Sequence, residues 1–315
     1  MTSHALAPAA DQAQAIARVW DAMFWPSVVI YLAVLIALGW ALWRRRDVSG
    51  DSADVQTRQV RRWTIALTGW TVLIALILTA YTALSFVQDR KLLARESNPL
   101  RVHITGKQWW WQVEYLDSDP SRQVTTANEL HLPAGRMTRI QLDSDDVIHS
   151  LWIPALNGKQ DLIPGRHTEL ALTPRIVGRY RGECAEFCGL QHAHMVIPVT
   201  VESPAQFAAW YSAQQATAAA PASAAAARGK QDFESGSCAM CHAIAGTSAG
   251  SHVGPDLTHI ASRPTLAAGA LPNNARNLDA WLADPQAHKP GTNMPNPQLP
   301  ANVRADLVAY LEGLR

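Results

Sequence analysis

Residues 22–43 carry no charged side chain, and neither do residues 63–88. As helices these runs of 22 and 26 residues would each exceed the roughly 30 Å thickness of a hydrocarbon core, at about 1.5 Å per residue. The alternative, two helices buried in a soluble core, leaves the tryptophans unexplained. Trp20, Trp25, Trp40, Trp43, Trp63 and Trp70 lie in or beside the two runs, several near their ends, where an amphipathic ring prefers a membrane interface. The pattern therefore predicts a transmembrane hairpin over residues 25–90.

The segment between the runs holds Arg44, Arg45, Arg46, Arg58, Arg61 and Arg62. The positive-inside rule puts it in the cytoplasm and both ends of the hairpin outside. Residues 1–21 lack the basic start and continuous apolar core of a signal peptide, while Ile16, Val19, Trp20, Met23 and Phe24 recur at helical spacing. Residues 1–24 are expected to form an amphipathic segment lying on the outer surface. The net charge of +1 excludes a strongly basic nucleic-acid binder.

After Pro99 the long apolar runs give way to short alternating segments broken by Pro, Gly and Asn. Strands are predicted at 100–115, 136–142, 149–153, 167–172, 178–181 and 196–202, which makes residues 91–210 a sandwich or small barrel. Within it, residues 182–195 read Gly-Glu-Cys-Ala-Glu-Phe-Cys-Gly-Leu-Gln-His-Ala-His-Met. The thiols of Cys184 and Cys188, the imidazole of His192 and the thioether of Met195 form a soft donor set suited to copper. A disulfide between the two cysteines is the competing reading. A further imidazole, His149, begins a strand that could hold it rigidly. His103, His131 and His167 read as ordinary surface or core histidines.

These motifs carry a resemblance. Asp146-Val-Ile-His149-Ser-Leu-Trp-Ile-Pro154, Lys159-Gln-Asp161-Leu-Ile-Pro164-Gly165-Arg166 and the loop from Cys184 to Met195 closely resemble subunit II of haem-copper cytochrome c oxidases, from the hairpin to about Trp210. The resemblance implies a cupredoxin-like barrel holding the dinuclear copper centre Cu(A). Cys184 and Cys188 would bridge both coppers, with His149 and His192 as terminal ligands and Met195 and the Glu186 carbonyl completing the set. It also implies that the Glu186 carboxylate faces a Mg²⁺ shared with the catalytic subunit. His194 falls one residue off the family spacing and is not expected to be a ligand. The run Gly106-Lys-Gln-Trp109-Trp110-Trp111 matches the family's aromatic strand and makes Trp109 the tryptophan through which electrons reach the copper; taken alone, a tryptophan triplet more often packs a core. The glutamate that commonly feeds a proton channel near the start of the second span is absent, since Gln59, Val60, Arg61 and Arg62 stand there.

Residues 211–229 are rich in alanine and read as a linker. Residues 230–315 then contain Cys238-Ala-Met-Cys241-His242, the C-x-x-C-H pattern of covalent c-type haem attachment, with His242 as proximal ligand. Of the six methionines only Met240 and Met294 lie here, and Met240 sits inside the attachment loop, so a His/Met haem would use Met294. A bis-His haem using His252, His259 or His288 is the alternative. The loop around Met294 resembles the axial loop of class I cytochromes c, and Ala301 to Leu314 carries apolar residues at helical spacing for a terminal helix.

The expected protein is multi-domain: a membrane hairpin, an all-β cupredoxin-like domain and a small all-α cytochrome c domain. The resemblance implies subunit II of a proton-pumping terminal oxidase in a bacterial inner membrane, with both metal domains on the periplasmic side. Its partners would be subunits I and III and an external cytochrome c or other donor. Two readings compete: the same module in a nitric-oxide-reducing haem-copper complex, and a membrane-tethered electron carrier with no oxidase partner.

Overall fold

The computed structural model describes residues 4–44, 53–92 and 98–315. Arg45 and Arg46, counted above in the basic segment, lie outside them. The chain divides into two compact units, residues 15–95 and residues 1–14 with 96–315.

The first unit is the helical pair α1 (Asp11–Trp43) and α2 (Ala53–Leu92). Both are long and apolar enough to cross a membrane. Each outlasts its uncharged run, so Arg58, Arg61 and Arg62 belong to the first turns of α2 rather than to a connecting loop. Pro26 interrupts the hydrogen-bond ladder of α1, because it has no N–H to give to the carbonyl of Ala22. The Tyr81 hydroxyl of α2 donates to that same carbonyl. Nonpolar surroundings would otherwise leave the oxygen unpartnered, so this bond ties the two helices together where one of them is weakest.

The expected surface segment does not form a helix of its own, since α1 runs unbroken from Asp11. The residues before it are held by the β domain instead. Ala9 donates its N–H to the carbonyl of Ala155 at 2.7 Å, and Arg175 forms a forked ion pair with Asp11 at 2.7 and 2.6 Å.

Ten strands make the β domain: β1 (Leu100–Lys107), β2 (Trp110–Leu116), β3 (Val124–Ala127), β4 (Leu130–Pro133), β5 (Thr138–Ser144), β6 (His149–Trp152), β7 (Gln160–Leu162), β8 (Thr168–Leu172), β9 (Gly178–Cys184) and β10 (Val196–Glu202). They form two five-stranded sheets, ordered β3-β2-β1-β5-β8 and β4-β10-β9-β6-β7. Side chains alternate in and out, as a strand's two-residue period requires. Val102 and Ile104 of β1 face inward beside Ile140 and Leu142 of β5, their register partners. Trp111, Val113 and Tyr115 do the same on β2.

The stretch 100–115 is not one strand. It folds back at Gln108 and Trp109, with Lys107 paired to Trp110, so Trp109 sits at a hairpin turn. An apolar pattern that continues through a tight turn hides the turn from a reading by periodicity.

Helix α3 (Pro204–Gln214) starts at a capping box between Ser203 and Gln206. The alanine-rich stretch after it is short: α4 (Ala224–Ser235) begins at the Ser223 cap, and between the helices Ala218 donates to the carbonyl of Ala245. The C-terminal domain adds α5 (Ala275–Ala283), α6 (Pro285–His288) and α7 (Ala301–Leu311). Helices α4 and α7 cross at backbone contact, since a Cβ on Gly229 would lie 2.0 Å from the carbonyl oxygen of Asp306. Phe233 and Tyr310 pack edge to face beside that crossing.

Candidate metal and haem sites

Two elements of one sheet bring the donors together. β6 opens with His149, fully buried, and β9 ends at Cys184, with Leu151 as the register partner of Cys184. The loop after Cys184 returns Cys188, His192 and Met195 to the same point before β10 begins. The sulfurs of Cys184 and Cys188 are 3.8 Å apart, and both thiols are free. A disulfide needs about 2.05 Å, so the spacing is that of two unlinked thiols.

Around the pair, His149 Nδ1 lies 3.9 Å from the Cys184 sulfur and His192 Nδ1 lies 3.7 Å from the Cys188 sulfur. Met195 Sδ is 3.9 Å from Cys188 and the Glu186 carbonyl oxygen is 3.2 Å from Cys184. His149, Cys184 and Cys188 together form a buried group able to hold a metal ion. Each sulfur is flanked by one imidazole, and sulfur and imidazole together form a donor set that suits copper.

The two thiols cannot ionise independently. A hydrogen bond from Cys188 favours the Cys184 thiolate, and that anion in turn pushes the Cys188 thiol up. A bound cation would favour loss of the second proton.

His149 is aimed from behind. Its Nε2 meets the Asp146 carboxylate at 2.8 Å, which turns Nδ1 toward the sulfurs. Asp146 also accepts the Gln108 N–H at 2.6 Å. A Cβ on Gly106 would come within 2.9 Å of the His149 ring, so only glycine leaves room for it there. In the sequence Asp146 is one member of a motif with no task of its own; its place three residues before a buried histidine is the available signal. His194 turns away to Gln191 at 2.7 Å. Glu186 points its carboxylate toward Lys159, 3.6 Å away, and both are about half exposed. His103, His131 and His167 are all engaged with carboxylates.

Trp109 touches both halves of the site. Its indole N–H donates to the carbonyl of Cys188 at 2.9 Å. Its ring also lines a cavity of about 720 Å³ whose walls include Cys238, Cys241, His242 and Met294. That volume lies within the range of cofactor pockets, and the apolar side chains of Phe233, Leu257 and Leu282 are among its lining.

His242 gives Nδ1 to the carbonyl of Pro255 at 2.7 Å, leaving Nε2 for a metal. Burial lowers its pKa, so the ring is neutral, as a ligand must be. Gly254 permits the ring's position: a Cβ there would lie 2.7 Å from His242 Cε1. Met294 is fixed through its carbonyl, which accepts from Gln286 Nε2 at 2.9 Å. Of the alternative axial histidines, His252 shares the cavity wall, whereas His259 and His288 do not line it.

The fold and these two sites define a cupredoxin-like protein with two helices long and apolar enough to span a membrane, fused to a cytochrome c domain. The family model for the periplasmic domain of cytochrome c oxidase subunit II matches residues 114–203, and that for cytochrome c matches residues 226–315. Cytochrome c oxidase subunit 2 of Alkalihalophilus pseudofirmus is 34% identical over 297 residues, covering 92% of this chain and 83% of that protein. The subunit 2 proteins of Bacillus sp. strain PS3 and Bacillus subtilis are each 30% identical, covering 80% and 70% of this chain and 73% and 64% of theirs. The chain belongs to the cytochrome c oxidase subunit II family, in a form that carries its own cytochrome c domain.

Proposed function

We propose that this chain is the electron-accepting subunit of a proton-pumping terminal oxidase, taking electrons at its cytochrome domain and delivering them through its β domain to a separate catalytic subunit that reduces O₂ to water. The observation that carries the reading is the double engagement of Trp109, which lines the haem cavity and hydrogen-bonds to Cys188. When bound, the copper pair and the haem supply one-electron redox chemistry; the rest of the work belongs to the protein.

Cys184 and Cys188 would hold both coppers, with His149, His192, Met195 and the Glu186 carbonyl as the remaining donors. Cys238 and Cys241 would bind the haem covalently, with His242 and Met294 as its axial ligands. The sheet behind His149 and the bond from Asp146 keep the donor set from rearranging as charge changes, which favours fast transfer. Burial of Cys184, Cys188 and Met195 excludes water from the sulfurs.

Delivery needs a partner surface. Val147, Ile148 and Phe187 are exposed apolar side chains near the copper donors, with the Glu186 and Lys159 pair beside them. This face would meet subunit I, with Glu186 offered to a shared Mg²⁺, and subunit III would complete the complex. Arg44, Arg58, Arg61 and Arg62 favour a cytoplasmic position for the segment between the helices, which puts both metal domains on the periplasmic side of a bacterial inner membrane. Rapid mixing of the loaded full chain with a reduced external cytochrome c tests the order of events. Haem reduction should precede copper reduction; copper reduced first would refute the reading.

A further inference from the structure

The cytochrome domain meets the β domain through a buried lysine, whose pKa is lowered by burial to about 7. Lys289 is 2% exposed, and its ammonium donates to the carbonyls of Trp109 at 2.7 Å, His194 at 2.9 Å and Ala267 at 2.8 Å. An ammonium has three donors and no acceptor, and here each N–H has its own carbonyl. Two of the carbonyls belong to the β domain and one to the cytochrome domain.

We infer that Lys289 is a positioning residue that fixes the separation of the haem and copper sites by locking the loop bearing Met294 onto the turn bearing Trp109. The inference rests on the proposed reading of the two sites. Lys289 stands five residues before Met294, while Trp109 bonds to Cys188 and His194 adjoins Met195. The constraint therefore joins the two redox loops directly instead of acting through the linker.

Its geometry is selective. A buried ammonium is tolerated only where its hydrogen bonds are met, and the three carbonyls converge on one point in a single arrangement of the domains. Neighbouring contacts agree with that arrangement. Gln191 Nε2 donates to the Pro290 carbonyl at 2.7 Å, and Asn293 donates to the Gln108 carbonyl at 3.3 Å. Gly291, at a φ of 83°, packs so closely that a Cβ would lie 3.2 Å from Leu190 and 3.5 Å from the Trp109 ring.

A second buried contact crosses the same boundary, with Arg263 Nε 3.6 Å from Glu129. It gives the domains a hold on one another when Lys289 is replaced. Loss of Lys289 should therefore loosen the docking without unfolding either domain. Electron tunnelling falls exponentially with distance, so loosening must show in the transfer rate.

The test uses the full chain in lipid nanodiscs, loaded with haem and copper. Optical and electron paramagnetic spectra first establish that both groups are present, which separates failure of the site assignments from failure of the inference. Pulsed dipolar spectroscopy between the oxidised haem and copper centres should then give one narrow distance distribution in the wild-type protein. Lys289→Met should broaden it and slow haem-to-copper transfer by roughly tenfold or more, with both spectra unchanged. Lys289→Arg keeps the charge but cannot place one nitrogen among all three carbonyls, and should change the distribution in the same direction should the methionine variant fail to fold. A broad distribution in the wild-type protein, or variants with wild-type distribution and rate, would overturn the inference.

Discussion

The indole N–H of Trp109 and the carbonyl of Cys188 are joined by a 2.9 Å hydrogen bond between the turn of one hairpin and the loop of the opposite sheet. The same residue lines the cavity whose walls include Cys238, Cys241, His242 and Met294. Trp109→Phe should leave the copper spectrum intact and cost about 1–2 kcal/mol of stability from the lost bond and packing. Haem-to-copper transfer, followed after photoreduction, should slow by roughly tenfold or more. An unchanged rate would remove Trp109 from the path.

Asp146 holds His149 by its Nε2. Asp146→Asn should lower copper affinity by about 10–100-fold, the usual consequence of losing a partner behind a ligating histidine. Gly106→Ala should act in the same direction by pressing on the His149 ring. Competitive chelator titration of the apo chain reads both.

At the haem, Met294→Ala should abolish the sulfur-to-iron charge-transfer band, while His252→Ala should leave it. Persistence of the band in the first variant would show that another residue ligates the iron.

His131 sets a pH dependence away from either site. Burial alone would lower its pKa, but the flanking carboxylates of Glu129 and Glu202 overcome that and raise it to about 9. The folded value lies above the unfolded value of 6.5, so the stabilisation is complete below pH 6.5 and disappears as pH rises through about 9. Its size is up to about 3 kcal/mol. Protection of the β4 and β10 amides in hydrogen exchange should fall across that interval, and His131→Gln should flatten the profile.

The two long apolar helices and the family were legible because each is written locally, as an uncharged run or as a motif at fixed spacing. His149 stood out as an imidazole at the start of a strand, but nothing in the intervening residues says that β6 and β9 pair and bring it to Cys184. β3, β4 and β7 escaped because they are short, and the turn at Trp109 escaped because aromatic residues continue through it. Lys289 escaped for a different reason. A lysine beside Pro290 reads as solvated surface, and its three carbonyl partners come from Trp109, His194 and Ala267, far apart in the chain.

In the proposed function Cys184 and Cys188 hold two coppers as one unit. The most direct measurement is the electron paramagnetic resonance spectrum of the copper-loaded full chain. The expected spectrum has hyperfine structure from two equivalent coppers sharing one unpaired electron, lost in Cys184→Ser and in Cys188→Ser. A mononuclear copper pattern in the wild-type protein, or no signal after copper loading, would contradict it.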